Sequence, residues 1–354
     1  MASTYPGKAG ALRLHGDLAD PKGAIGGPVF DALLLWGCPL VSALFVWLWI
    51  GGAALLPAAA SSAAIATLAV GVSVLTFAHL IAVAPRAYLN REVFESNRLR
   101  LTIVPILLVA ALTVSPALLV IGGVLAVFWD VHHSAMQSFG LGRIYDMKAG
   151  NGALALRRTD LRLNWALYVG PIAAGWSLMD HLSSLEGLGA IGWATVASLP
   201  SLAESRLTGI AELAVAAWLA VVGWAAWDYR AAIRQGYRPP VQKVALVGAT
   251  GFVSIAAWGL ATPIVAFAII NLFHAVQYFA LVWLKEGGRM TAASGRIGAL
   301  RWGGLGLFLT LCAAFGFAYQ YGRDWRWFAG AFIACSLLHF WYDSFVWSVR
   351  KKQV

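Results

Sequence analysis

Five histidines stand inside long apolar runs of this sequence: His79, His132, His133, His274 and His339. The oddest setting is Phe128 to Gly140, FWDVHHSAMQSFG, where Asp130, His132 and His133 directly follow the apolar PALLVIGGVLAV that begins at Pro116. An ionisable side chain in hydrocarbon is costly, so its presence there points to function. Imidazole is the commonest side-chain metal ligand, and several rings meeting in a dry cavity leave polar atoms unsatisfied unless something binds them.

The neighbours of these histidines form a pattern. Three residues before His79, His133, His274 and His339 stand Thr76, Asp130, Asn271 and Ser336. Three or four residues after, the chain places Gln137, then Gln277 and Tyr278, then Tyr342 and Asp343. Offsets of three and four share a helix face, so each helix offers a polar stripe centred on its histidine. A ligating imidazole normally donates its other N–H to a nearby polar group, and these stripes supply candidates.

The elements that position them are membrane helices. The chain is 60% apolar and only 12% charged, with 17 Trp, too few charges to clothe a water-exposed surface. Apolar runs long enough to cross about 30 Å of hydrocarbon are read at 30–50, 62–85, 99–114, 116–142, 163–180, 207–228, 243–260, 263–285, 302–320 and 327–349. The fold class is therefore all-α, a polytopic integral membrane protein of about ten transmembrane helices. Residues 1–28 read as a cytoplasmic segment without the apolar core of a signal peptide, 29–349 as one transmembrane domain, and 350–354 as a basic tail. Two pairs of runs are cut only by Ser115-Pro116 and Thr262-Pro263, where proline disfavours helix in the residue before it.

Lysine and arginine sort these loops. With alternate loops on alternate sides, twenty of the 26 fall on one side and Arg206, Arg323 and Arg326 on the other, and Lys8, Arg13 and Lys22 of the N-terminal segment join the majority. Basic residues accumulate in cytoplasmic loops, so both termini are expected in the cytoplasm. The net charge of +10 is thereby explained without nucleic acid, for which no basic aromatic motif exists. Cys38, Cys312 and Cys335 show no CxxC spacing and predict neither disulfide nor zinc site. His15 and His181 are read as solvated, as are Tyr145, Asp146 and Lys148 at the end of the fourth helix.

Depth can be counted from the first cation after each histidine. His79 precedes Arg86 by 7 residues, His133 precedes Arg143 by 10, and His274 and His339 precede Lys285 and Arg350 by 11 each. At 1.5 Å per residue these lie about 10–16 Å from the boundary. All sit on even-numbered helices, in one layer near mid-membrane.

A lone intramembrane histidine serves most often as a hydrogen-bond partner between helices. Four helices offering one at a common depth predict more: a metal site with His79, His133, His274 and His339 as ligands and His132 as a fifth or as the ligand of a second ion. Imidazoles with carboxylates nearby suit iron, and the lack of a Cys or Met cluster argues against soft copper. The expected protein is a membrane-embedded non-haem iron oxidoreductase or oxygenase in the bacterial inner membrane. It would hold one or two ions, act on a lipophilic substrate, and take electrons from a donor at the cytoplasmic face. Asp130, Tyr278, Tyr342 and Asp343 would act in catalysis, with Gln137, Asn271 and Gln277 orienting ligands or holding substrate. Two other classes fit the same residues: a haem b electron-transfer protein with these histidines as axial ligands, and a proton-coupled transporter with an intramembrane His/Asp relay.

Overall fold

The structure, a computed structural model, describes residues 14–152, 154–175, 177–322 and 324–347. The basic tail at 350–354, the first part of the N-terminal segment, and Lys8, Arg13, Arg323 and Arg350 lie outside them. The described chain is helical, with no strand. Ten of its helices have 14 to 33 residues. They are α1 (Cys38–Ala54), α2 (Ala58–Ile81), α3 (Arg98–Val114), α4 (Pro116–Lys148), α5 (Arg157–Ala174), α6 (Leu207–Arg234), α7 (Val241–Ser254), α8 (Pro263–Ala293), α9 (Gly303–Gly322) and α10 (Arg326–Val346). Seven helices are long and apolar enough to cross a membrane, or eight if the bent pair Pro28–Leu34 and α1 forms one span. The two that fall short have visible reasons. α3 has only 17 residues and opens with Arg98 and Arg100, and the first turns of α5 carry Arg157, Arg158, Asp160 and Arg162.

Both proline cuts end a helix. Ser115 is extended at φ −101° and ψ 112°, and its hydroxyl accepts from the Leu118 N–H at 3.3 Å, so it caps α4 with Pro116 in the first turn. Leu108, Val109 and Leu112 of α3 pack with Leu119, Ala126 and Trp129 of α4, as a reversal at this point requires. After α7 the π-helical segment Ile255–Leu260 leads to an extended Ala261, and α8 begins at Pro263.

The chain divides into two compact units. The first comprises residues 14–44, 131–180 and 201–270. In it α5 packs against α6, and α7 with its π-helical extension packs on α5. A four-membered charge cluster fastens these elements. Arg143 bonds Asp146 and Asp160 at 2.6 Å each, and Lys243 bonds the same two carboxylates at 2.6 and 2.8 Å. Two cations and two anions cancel, which is what makes their burial tolerable. Tyr237 donates to Asp146 at 2.6 Å and Tyr229 donates to Asp160. The Tyr237 phenol, in the loop after α6, is pushed above its ordinary pKa by burial first and by the adjacent Asp146 second. Near the N-terminal segment, Asp31 accepts from the Ile25 and Gly26 N–H groups at 2.7 and 2.9 Å and from the Tyr145 hydroxyl at 2.9 Å.

The second unit comprises residues 45–130, 181–200 and 271–347. In it α2 lies along α9, and α10 packs on α3 and α2. A Cβ on Gly316 would stand 2.1 Å from the Val74 carbonyl oxygen, so only glycine lets α9 approach α2 this closely. Ala78, Ala82, Tyr278, Val282, Phe308, Tyr342 and Val346 belong to its apolar core. Arg86, in a π-helical turn after α2, is 4% exposed and pairs with the fully buried Glu286 at 2.5 Å.

Several expectations change here. Arg86, Arg143 and Lys243, counted as loop cations, are buried and paired. Tyr145 and Asp146, read as solvated, are 1% and 0% exposed because the cluster and Asp31 claim them. His181 is likewise buried, whereas His15 is exposed as expected.

Candidate metal centre

Three of the predicted ligands meet in the core of the second unit. His79 comes from the last turn of α2, His274 from the middle of α8 and His339 from the second half of α10. The His79 ring lies between the other two, with centroids 4.9 Å from His274 and 5.0 Å from His339, edge-on to each at 88°. All three are sealed from solvent, at 0%, 1% and 0% exposure. His133, one helical turn after Asp130 on the continuous α4, is 4% exposed. One ring nitrogen from each of His79, His274 and His339 falls within 4.8 Å of the others.

Those separations suit a shared ion. At metal–nitrogen bonds of about 2.0–2.2 Å, ligands on opposite sides of an ion stand about 4.0–4.4 Å apart and neighbours stand closer. The observed spread closes onto an ion with shifts of a few tenths of an ångström. Among the described residues no carboxylate or thiolate shares the group.

The hydrogen bonds identify which nitrogens are available. His339 Nδ1 lies 2.9 Å from the Leu80 carbonyl oxygen. A carbonyl only accepts, so Nδ1 carries the proton and Nε2 is the acceptor nitrogen of this ring. This is the arrangement in which a backbone carbonyl fixes the tautomer and orientation of a ligating imidazole. Neither ring nitrogen of His79 has a partner at hydrogen-bonding geometry, although both are buried. A buried polar atom left so is destabilising by about 1–3 kcal/mol, which a ligand on His79 would relieve.

Tyr278 and Asp343 stand beside this group. The Tyr278 ring packs on His339 at 4.7 Å between centroids, while its hydroxyl donates to Asp343 at 2.7 Å. The Trp347 indole N–H reaches Asp343 at 3.1 Å and the Tyr278 oxygen at 3.3 Å. The Arg86 guanidinium stacks on Trp347 at 4.9 Å, which ties this chain to the Arg86–Glu286 pair. Glu286 also bonds the half-exposed Arg289 at 2.5 Å. Tyr342 turns away: its hydroxyl lies 3.1 Å from that of Tyr88, which donates to the Leu101 carbonyl at 2.9 Å.

The remaining predicted residues are placed unevenly. Asn271 and Gln277 are buried on α8 at 3% and 0% exposure, and Gln137 is half-buried one turn after His133. His132 and His133 face different ways. Adjacent helical residues point about 100° apart, and the His132 ring lies against Trp165 at 5.1 Å between centroids. Asp130 is half-buried and makes no hydrogen bond or ion pair with the described residues, so the expected bond to the His133 imidazole is not formed. Sharing a helix face makes such a pair possible without requiring it, because the side-chain rotamers decide whether the two groups meet. Thr76 and Ser336 return their hydroxyls to their own helices, at Val72 and Phe332, and give nothing to the imidazoles.

The sequence reading missed the Leu80 carbonyl, the Arg86–Glu286 pair and the Arg143/Asp146/Asp160/Lys243 cluster. The spacing Arg143-x-x-Asp146 was the one local signal for the last. Comparison of the chain with protein-family models, curated proteins and solved structures gave no match.

Proposed function

We propose that this chain is a membrane-embedded, metal-dependent oxidoreductase whose ion, iron without haem, is held by His79, His133, His274 and His339. The observation that carries the reading is His79, a fully buried imidazole with neither nitrogen at good hydrogen-bonding geometry to a partner, set between two further buried imidazoles. Bound iron would supply redox chemistry with dioxygen. An all-imidazole donor set without thiolate is compatible with iron and unfavourable to metals that select sulfur.

The chain's own residues would do the rest. His339 is held in its ligating tautomer by Leu80. Tyr278 keeps His339 in place through ring contact and is itself pinned by Asp343 and Trp347. Asp343 and Asp130, both half-buried, are the carboxylates available to exchange protons. Apolar walls exclude water from a site where a lipophilic substrate arrives from the bilayer.

The wider assignment follows the same reading. Ten helices cross the membrane, α3 and α5 among them despite their polar first turns, both termini are cytoplasmic, and the membrane is a bacterial inner membrane. The electron donor docks at the cytoplasmic face. Haem is the weaker alternative, because a macrocycle would have to pass between rings whose centroids are only 4.9 and 5.0 Å apart. Metal analysis with an absorption spectrum of detergent-purified protein tests the proposal. Iron at one or two equivalents without a Soret band supports it, a Soret band replaces it with haem, and protein free of metal after growth in iron-rich medium shifts the assignment to proton transport.

A further inference from the structure

Within the first unit, α5 and α6 enclose a groove of about 610 Å³. Its walls are almost wholly apolar, from Ala166, Val169 and Ala173 on α5 to Ala214, Ala217 and Val221 on α6. Gly170 forms part of the floor, where a Cβ would stand 2.2 Å from the Trp218 ring, so glycine is what lets that indole lie against α5.

Two polar groups on this groove have no hydrogen-bond partner among the described residues. Arg162 stacks its guanidinium over the Trp224 indole at 4.1 Å and makes no hydrogen bond or ion pair with the described residues. A guanidinium held by its face keeps its N–H edges free for an anion. The Trp218 indole N–H is buried without a hydrogen-bond partner. Trp218 and Trp224 are six residues apart on α6, which separates the two donors by about 9 Å along the helix.

We propose that this groove binds one anionic phospholipid of the surrounding bilayer. The phosphate sits on Arg162, an ester carbonyl accepts from Trp218, and an acyl chain runs along the apolar walls. The placement fits a headgroup depth: α5 begins at Arg157, so Arg162 stands about 7.5 Å inside the helix start. Anionic lipid is enriched in the cytoplasmic leaflet, where the charge distribution of this chain places that end of α5. Trp165 forms the groove wall on one side and packs on His132 on the other, which brings the bound chain beside the residue preceding His133. Binding here is independent of any metal, and the two proposals fail separately.

Spin-labelled phosphatidylglycerol and phosphatidylcholine, added to protein reconstituted in neutral lipid, read the site through the motionally restricted fraction of the label. Wild type should prefer the anionic label about fivefold, the effect of one basic side chain near a membrane surface. Arg162→Gln should bring the preference to unity, and Trp224→Phe should lower it by loosening Arg162. Trp218→Phe should reduce retention of both labels and leave the preference unchanged. Equal retention of both labels by wild type, or a preference that survives Arg162→Gln, overturns the proposal and leaves the groove as ordinary lipid-facing surface.

Discussion

His79→Leu is the substitution with the sharpest consequence, because its effect on stability should change sign with metal. In metal-free protein the His79 ring carries one N–H and one lone pair, both buried and neither at good hydrogen-bonding geometry to a partner. Each is destabilising by about 1–3 kcal/mol relative to a satisfied group. Leucine fills a similar volume and removes both, so the metal-free variant should be more stable than metal-free wild type, by on the order of 1–3 kcal/mol once imperfect repacking is deducted. With metal at a thousand times its dissociation constant, wild type gains about 4.1 kcal/mol by linkage and the variant gains little. The order of stability should therefore reverse between chelated and metal-loaded samples. Thermal unfolding in detergent, followed by tryptophan fluorescence with and without chelator, reads this directly. If His79→Leu is the less stable protein in both conditions, the imidazole is packing or hydrogen-bonding glue and the metal proposal is wrong.

Three further outcomes follow from the geometry. His132→Ala should keep bound metal at the wild-type level, because its ring lies on Trp165, whereas His133→Ala should lose most of it; equal loss from both would place His132 in the site. Lys243→Met leaves Asp146 and Asp160 sharing Arg143 alone, and breaking such a buried group typically destabilises by about 3–5 kcal/mol, so folded yield should fall sharply, with double substitution by Asp160→Asn restoring part of it. Tyr237 has a raised folded pKa, so its contribution is complete below the unfolded value near pH 10 and is lost as pH rises beyond it; Tyr237→Phe should flatten the alkaline decline of the unfolding midpoint, and an unchanged slope would show that the phenol does not govern it.

The sequence made the helices and the histidine layer legible for a simple reason. Hydrocarbon thickness fixes the length of each run, and the first cation after each run marks a boundary from which depth can be counted. Three of the histidines given a common depth by that count, His79, His274 and His339, are neighbours in the second unit. Facing was less legible. His132 and His133 are adjacent and equally deep, and only packing against Trp165 separates them. The support of His339 was invisible, because a backbone carbonyl such as that of Leu80 has no signature in sequence. The buried charges were misread for a third reason. Arg143, Asp146, Asp160 and Lys243 resemble cytoplasmic loop residues one by one, and their meaning appears only when positions 97 residues apart come together.

The central claim is tested most directly by iron K-edge X-ray absorption on the purified protein after metal analysis. The account predicts a first shell of four imidazole nitrogens, completed by light atoms, at about 2.0–2.2 Å, with the outer-shell scattering of imidazole rings and no sulfur. That shell should lose one imidazole in His274→Ala. A porphyrin scattering pattern, a sulfur shell near 2.3 Å, or a shell unchanged by His274→Ala would contradict it.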